Sequence, residues 1–504
     1  MLANYIEPAI LNKIFLINTL LEFTHSDFSE LVQITGFSKK TIRELIAELQ
    51  PELGDLLQIH IDSKRIHCCL LSNATKTQCL QRIYENSLFL QCLRFLLTNQ
   101  QHLPYTEFIK THYISVPTAY RLKKRCHHYL ETVQLTIKNN YIVGEEFKIR
   151  YLLALLQCHF GITCYKITEE DRMLVKEFIT VSNDHITPEL LVLMEEELLF
   201  FEFLIILTWK RHVFRPFLPA SRQFDALKKI FIYQLIRTYS EQVFEPHLQL
   251  KFDQVDYDYL FLVYCTRNNP FAGDKWTPEH DNTLAQIVIH ETDIAKLLPL
   301  FNQFLDSSIV FSNFFITSMI ELFRKFLYNL QQFLPEDRLI DKYLNDNCSP
   351  LYRKNRELLS KWMTELGYDG EISPKHLNLL TVQIRQLLKT QLARISVVLC
   401  SNNDANLLMF ESWLHQHLPE KSTRIIPFNF NNDNVKLLKD MESAVIIADQ
   451  KYIPLLKKVC ATNNNIIFDL AVYTKEHRLK HICEAIEMQR QQAYLQFISR
   501  RLEI

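Results

Sequence analysis

Two stretches of this sequence carry cations at spacings that chemistry can use. In the first, Lys39, Lys40, Thr41 and Arg43 follow Ser38, and the apolar residues Ile42, Leu45, Ile46 and Leu49 recur at helical spacing. In the second, Tyr120, Arg121, Lys123, Lys124, Arg125, His127 and His128 surround a stripe of Ala119, Leu122, Cys126 and Leu130, with no acidic residue until Glu131. Ammonium and guanidinium groups on a helix neutralise phosphates, and Arg121 or Arg125 can pair with a guanine edge. An ordinary solvated face mixes signs instead. The partner these helices predict is double-stranded DNA.

Other chemistries lack their residues. His290-Glu291-Thr292-Asp293-Ile294 starts like a zinc hydrolase helix, but Ile294 stands where the second imidazole is needed. Cys126 with His127, and Cys158 with His159, are neighbours that point apart on a helix, so neither makes a nucleophile–base pair. Glu195, Glu196 and Glu197 suit the negative start of a helix. Only 7 glycines occur in 504 residues, and none forms a G-x-G, Gly-Lys or G-x-S-x-G pattern. That excludes the Rossmann, Walker A and nucleophile-elbow motifs, and it disfavours a hairpin-rich all-β fold. No catalytic residue, metal or cofactor is expected.

The 12 cysteines contain no C-x-x-C, and Glu7 and Pro8 precede the first apolar run. Both point to reduced thiols in a cytoplasmic protein. The most apolar run, Leu198 to Trp209, is shorter than the ~20 residues that span a bilayer. A buried helix is expected there, and no membrane partner. Net charge is −1, and residues 1–150 hold 17 Lys and Arg against 14 Asp and Glu. Any positive face therefore arises from placement and not from overall charge.

The elements that must hold these cations can be read from caps and periods. A helix from Pro8 to Phe23 carries Ile10, Ile14, Ile17 and Leu21 on one face. Asp27 caps a short helix that Gly36 ends, and Ser38 caps the helix Lys39–Leu49. Strands Leu57–Ile61 and Ile66–Leu70 follow, completing a winged helix-turn-helix order over residues 1–75. The order recurs over 76–158: a helix from Lys76 to Leu97, another from Thr106 to His112, a third starting at Ser115 and Pro117, and a hairpin turning at Asn139-Asn140. From about 160 to 390 helical periodicity dominates, including a long helix from Pro188 to Trp209, and breaks near Asn268–Gly273 suggest two bundles. The last segment alternates short β runs with helices and has no glycine. It predicts a small parallel α/β domain without a Gly-rich phosphate loop. The fold class expected is mainly α and multidomain.

This order resembles the Mga/AtxA-like virulence and carbohydrate-responsive transcription regulators of Gram-positive bacteria. One point of resemblance is Asn139-Asn140-Tyr141-Ile142-Val143-Gly144-Glu145-Glu146-Phe147-Lys148-Ile149-Arg150, similar to the wing and the G-x-E-x-x-I-R join of that family. Another is Asp256-Tyr257-Asp258-Tyr259-Leu260-Phe261 followed by Asn268-Asn269-Pro270-Phe271. The resemblance implies two helical domains, 159–282 and 283–392, like those regulated by the sugar phosphotransferase system (PRDs). It implies a C-terminal domain, 393–504, like the permease B component (EIIB) and supporting a homodimer. It also implies phosphorylation by the histidine phosphocarrier, for which His185, His212, His247, His280, His290 and His376 are candidates. His212, after Trp209-Lys210-Arg211, and His376, just before the α/β segment, are singled out. Cys400 stands where B components carry phosphocysteine, but Asp404 would repel the phosphate, so a non-catalytic domain is expected. The rival reading is a phosphotransferase-linked phosphocarrier or adaptor whose winged units bind protein.

Overall fold

Strong local signals build the N-terminal elements. In this computed structural model, residues 2–23, 25–62, 65–72, 74–335, 349–368, 371–460, 464–469 and 475–502 are described. Helices Pro8–Glu22, Phe28–Thr35 and Lys39–Leu53 come first. Gly36 ends the second with φ 71°, and the Ser38 side chain accepts from Thr41 N to start the third. Strands β1 (His25–Asp27), β2 (Leu57–Ile61) and β3 (Arg65–Leu70) form an antiparallel sheet in the order β1-β3-β2. β1 is an addition to the sequence reading. Asp27 does precede the second helix, but its carboxylate pairs with Arg65 across the sheet at 3.4 Å and makes no cap bond.

The next stretch holds helices Lys76–Tyr84, Leu88–Thr98, Tyr105–Thr111 and Val116–Thr132, then the hairpin β4 (Thr136–Lys138) and β5 (Tyr141–Val143). The single helix expected from Lys76 to Leu97 is two. The second starts afresh because Ser87 Oγ accepts from Leu90 N, while Glu7 accepts from Phe89 N at 2.9 Å and from Ser87 Oγ at 2.5 Å. The Ser87 cap is local, but its Glu7 support comes from 80 residues away. Likewise, the helix expected from Pro188 to Trp209 divides at Met194 into Pro188–Leu193 and Glu195–Lys210. The break puts Glu195, Glu196 and Glu197 in a first turn, where the helix dipole favours them. The run from Leu198 to Thr208 is almost wholly buried, and no helix among the described residues is long and apolar enough to cross a membrane.

Mainly helical structure continues to Thr390, and the chain divides into two compact units. One comprises Met1–Leu298, Thr317–Lys342 and Leu359–His376; the other comprises Pro299–Ile316, Tyr343–Leu358 and Leu377–Ile504. The second unit contains the small α/β region. Strands β6 (Ile395–Ser401), β7 (Thr423–Asn429), β8 (Val445–Ala448) and β9 (Ile466–Asp469) are parallel, in the order β7-β6-β8-β9. Alternate residues serve opposite faces. Val397, Leu399, Val445 and Ile447 pack with helices Asp404–His417 and Lys475–Leu502, while Val398, Cys400, Ile446 and Ala448 pack with Leu438, Leu456 and Cys460.

Candidate nucleic-acid interface

The helix Val116–Thr132 shows how a stripe and a charged face are held apart. Ser115 Oγ accepts from Thr118 N at 3.4 Å, and Pro117 stands in the first turn, so the start is defined. Ala119, Leu122, Cys126, Tyr129 and Leu130 are buried. The Tyr105 hydroxyl donates to the Ala119 carbonyl at 2.8 Å and fixes the preceding helix against this one. Arg121 and Lys124 are exposed, and Tyr120 is 60% exposed. His127 and His128 are exposed too, each within 3.8 Å of Glu131.

Two cations of this helix are bonded to other elements, whereas Arg121 reaches Thr118 Oγ1, one turn back on its own helix, at 3.3 Å. Lys123 is half-buried; its Nζ donates to Asn140 Oδ1 at 2.7 Å and lies 5.1 Å from the Tyr105 ring centre. Asn139 and Asn140 both have positive φ, 49° and 58°, so this contact ties the helix to the tight turn between β4 and β5. Arg125 donates to the Tyr5 carbonyl and covers the Phe89 ring at 5.3 Å. Lys123 and Arg125 thus position other elements, whereas Arg121 and Lys124 are exposed and, among the described residues, tied to no other element. Val116, 55% exposed, lies one turn before Tyr120, and Tyr113, 96% exposed, precedes the helix. Sequence reading passed over both. Their signal is an apolar residue outside the buried stripe.

On the earlier helix, Lys39, Lys40 and Arg43 are exposed and Thr41 is half-buried beside Ser38. Lys40 pairs with Glu44 at 3.8 Å, and Arg43 lies over the Phe28 ring at 5.1 Å. The two N-terminal modules are fastened together. Besides the Glu7 cap and the Arg125–Tyr5 bond, Arg82 pairs with Asp55 at 3.3 Å and Asn86 donates to Glu52.

After β5 the chain enters helix Glu146–Ala154 through Gly144, where an added Cβ would lie 2.5 Å from the Leu135 side chain. Glu146 then accepts from two buried arginines. Arg211 makes a bidentate pair with it at 2.6 and 2.8 Å, and Arg150 Nε donates to it at 3.1 Å. Arg150 also donates to the carbonyls of Arg211 and Phe214, at 3.2 and 2.9 Å, and its guanidinium stacks 4.5 Å from the Tyr259 ring centre. Burial works against the charge on Arg211, but its bonds to Glu146 outweigh that and raise its pKa. One carboxylate holds two buried cations that join the cationic helix's module to the helical region.

The sequence pattern thus has a geometric counterpart, and a family match covers it. Residues 72–157 match the family model of the Mga helix-turn-helix domain. The match is consistent with a Mga/AtxA-like regulator, and it supports DNA binding and transcription regulation as the role of this segment. No curated protein matches the chain. Within the Mga helix-turn-helix segment lie Tyr120, Arg121, Lys123, Lys124 and Arg125; Lys39, Lys40, Thr41 and Arg43 lie before it.

The histidine candidates sit in different settings. His212 is half-buried beside Phe252, with Nδ1 enclosed and without a hydrogen-bond partner. His376 is only 2% exposed, and burial, with Lys325 and Lys375 adding to it, pushes its pKa well below the usual imidazole value. It is neutral, and closed to a phosphocarrier in this conformation. His185, His247 and His290 are exposed, and His280 stacks on Phe231 at 4.0 Å.

Cys400 lies inside β6, not after it, since the strand runs to Ser401. Burial, with Cys460 adding to it, pushes its pKa up to about 12, so the thiol is protonated and enclosed. Asp404 accepts from Asn429 Nδ2 at 2.6 Å. Native-state alkylation with iodoacetamide, followed by mass spectrometry, is expected to modify the exposed Cys69 and Cys483 well before Cys400. Early modification of Cys400 would contradict its burial.

Proposed function

We propose that this chain is a cytoplasmic, dimeric transcription regulator of the Mga/AtxA type that binds double-stranded DNA through two winged helix-turn-helix modules, residues 1–75 and 76–158. The observation that carries the reading is the exposed pair Arg121 and Lys124 on a capped helix inside the Mga helix-turn-helix match. Tyr120, Lys39, Lys40, Thr41 and Arg43 join that contact surface, while Lys123 and Arg125 act by positioning. Helical domains at 159–282 and 283–392 adjust the activity in response to histidine phosphorylation, with His212 more accessible than His376. An EIIB-like domain at 393–504 supports the homodimer. The enclosed thiol of Cys400 weighs against a protein that passes phosphate onward.

The test is fluorescence anisotropy of the full chain on labelled duplex DNA across a salt series. Log K is expected to fall linearly with log salt, by about 0.9 per phosphate contacted. Binding that ignores salt, or no binding to any duplex from promoter libraries, would remove the reading.

A further inference from the structure

The first sheet brings three histidines abreast. His25 on β1 is directly opposite His67 on β3, and His67 is directly opposite His60 on β2. Directly opposed residues share a sheet face. It is the outer one: His25 and His60 are exposed and His67 is half-buried, while their strand neighbours Ser26, Ile59, Ile66 and Cys68 are buried. Within the row the Nδ1 atoms of His25 and His67 lie 2.6 Å apart. The second nitrogen of His67, Nε2, is 3.3 Å from Asp62 Oδ2, and His60 Nε2 is 3.0 Å from Asp62 Oδ1.

This arrangement has a chemical direction. A carboxylate facing Nε2 keeps the proton on that atom, leaving the Nδ1 lone pair of His67 aimed at His25. Two facing Nδ1 atoms with one lone pair fixed have two ways to be satisfied. Either they share one proton, or a cation lies between them. We propose that His25 and His67 form a two-ligand site for a divalent transition-metal ion of the imidazole-preferring kind, with Asp62 as the positioning residue for His67. Zinc-like metal–nitrogen bonds of about 2.0–2.1 Å at a tetrahedral angle put the nitrogens ~3.3 Å apart. The exposed rings need to part by roughly 0.7 Å from their contact, a small side-chain rotation. Among the described residues no group of three metal-ligating side chains is arranged to hold an ion by itself. Water therefore completes the shell, and the ion stays exchangeable. Bound there, it fastens β1, which leads into helix Phe28–Thr35, to the β2–β3 hairpin. The site does not depend on the DNA-binding reading.

Ni²⁺ is the suitable probe, because imidazole suits it, whereas soft sulfur ligands such as Cys69 and Cys483 select other metals. Isothermal titration of the full chain with Ni²⁺ is expected to show one strongest site. His25→Ala and His67→Ala each weaken that site by tenfold or more, Asp62→Asn weakens it by about 10–100-fold, and His128→Ala leaves it unchanged. His25→Gln and His67→Gln, checked by thermal melting, separate ligand loss from unfolding. Unchanged affinity in the His25 and His67 variants, or no Ni²⁺ binding by the parent chain at submillimolar concentration, overturns the proposal.

Discussion

Replacing Glu146 with alanine is expected to destabilise the protein by about 3–5 kcal/mol, the effect of leaving buried charges without their partner. Arg150 is fully enclosed and Arg211 nearly so, and Glu146 is the carboxylate that both reach. Removing it leaves two guanidinium groups close together in a low-dielectric setting, where desolvation and mutual repulsion act in the same direction. Glu146→Gln keeps the volume and part of the hydrogen bonding, so it falls between the alanine variant and the parent. Hydrogen exchange is the informative measurement, because the loss belongs to helix Glu146–Ala154 and the turn at Arg211–Phe214. Protection in both segments should fall together. Parent-like protection would mean that water or another group already neutralises the arginines.

The second large effect concerns DNA. Arg121→Ala combined with Lys124→Ala is expected to weaken binding to every duplex sequence about a hundredfold at low salt, taking ~1.5 kcal/mol for each charge-assisted contact. The slope of log K against log salt should flatten by about 1.8, since each lost phosphate contact removes ~0.9. Melting should be unchanged, because both side chains face solvent. Lys123→Ala and Arg125→Ala should behave differently. Each removes an internal bond, to Asn140 or to Tyr5, so each should lower thermal stability and affect binding only through the loosened hairpin or N-terminal turn. A loss of about 0.9 in salt slope in the Lys123 and Arg125 variants as well would mean that the internal partners release their cations when DNA arrives.

Caps, periods and parallel strands were legible in the sequence because they are local. Ser38, Gly36 and Ser115 act through their own backbone neighbours, and the Val397–Cys400 run serves two sheet faces in alternation. What escaped depends on distant partners. β1 is three residues long with a single buried side chain, too short for a period to register. Glu7 reinforces the Ser87 cap before Leu88 from outside the segment, and the roles of Lys123 and Arg125 are set by Asn140 and Tyr5. For the site, helical spacing identified the cationic face. It did not tell which cations remain free, because that is decided by what packs beside them. His376 shows the same limit: its place just before the α/β segment singled it out, and its burial was not legible there.

The fastening between the two N-terminal modules has one more consequence. Glu7, Arg82, Asn86 and Arg125 leave little play between them. On a duplex contacted by both modules, as proposed above, such a pair would act as a caliper with a set opening. Five base pairs inserted between its two footprints would rotate one of them half a turn around the helix axis, out of reach, whereas ten would restore the phase at a greater separation.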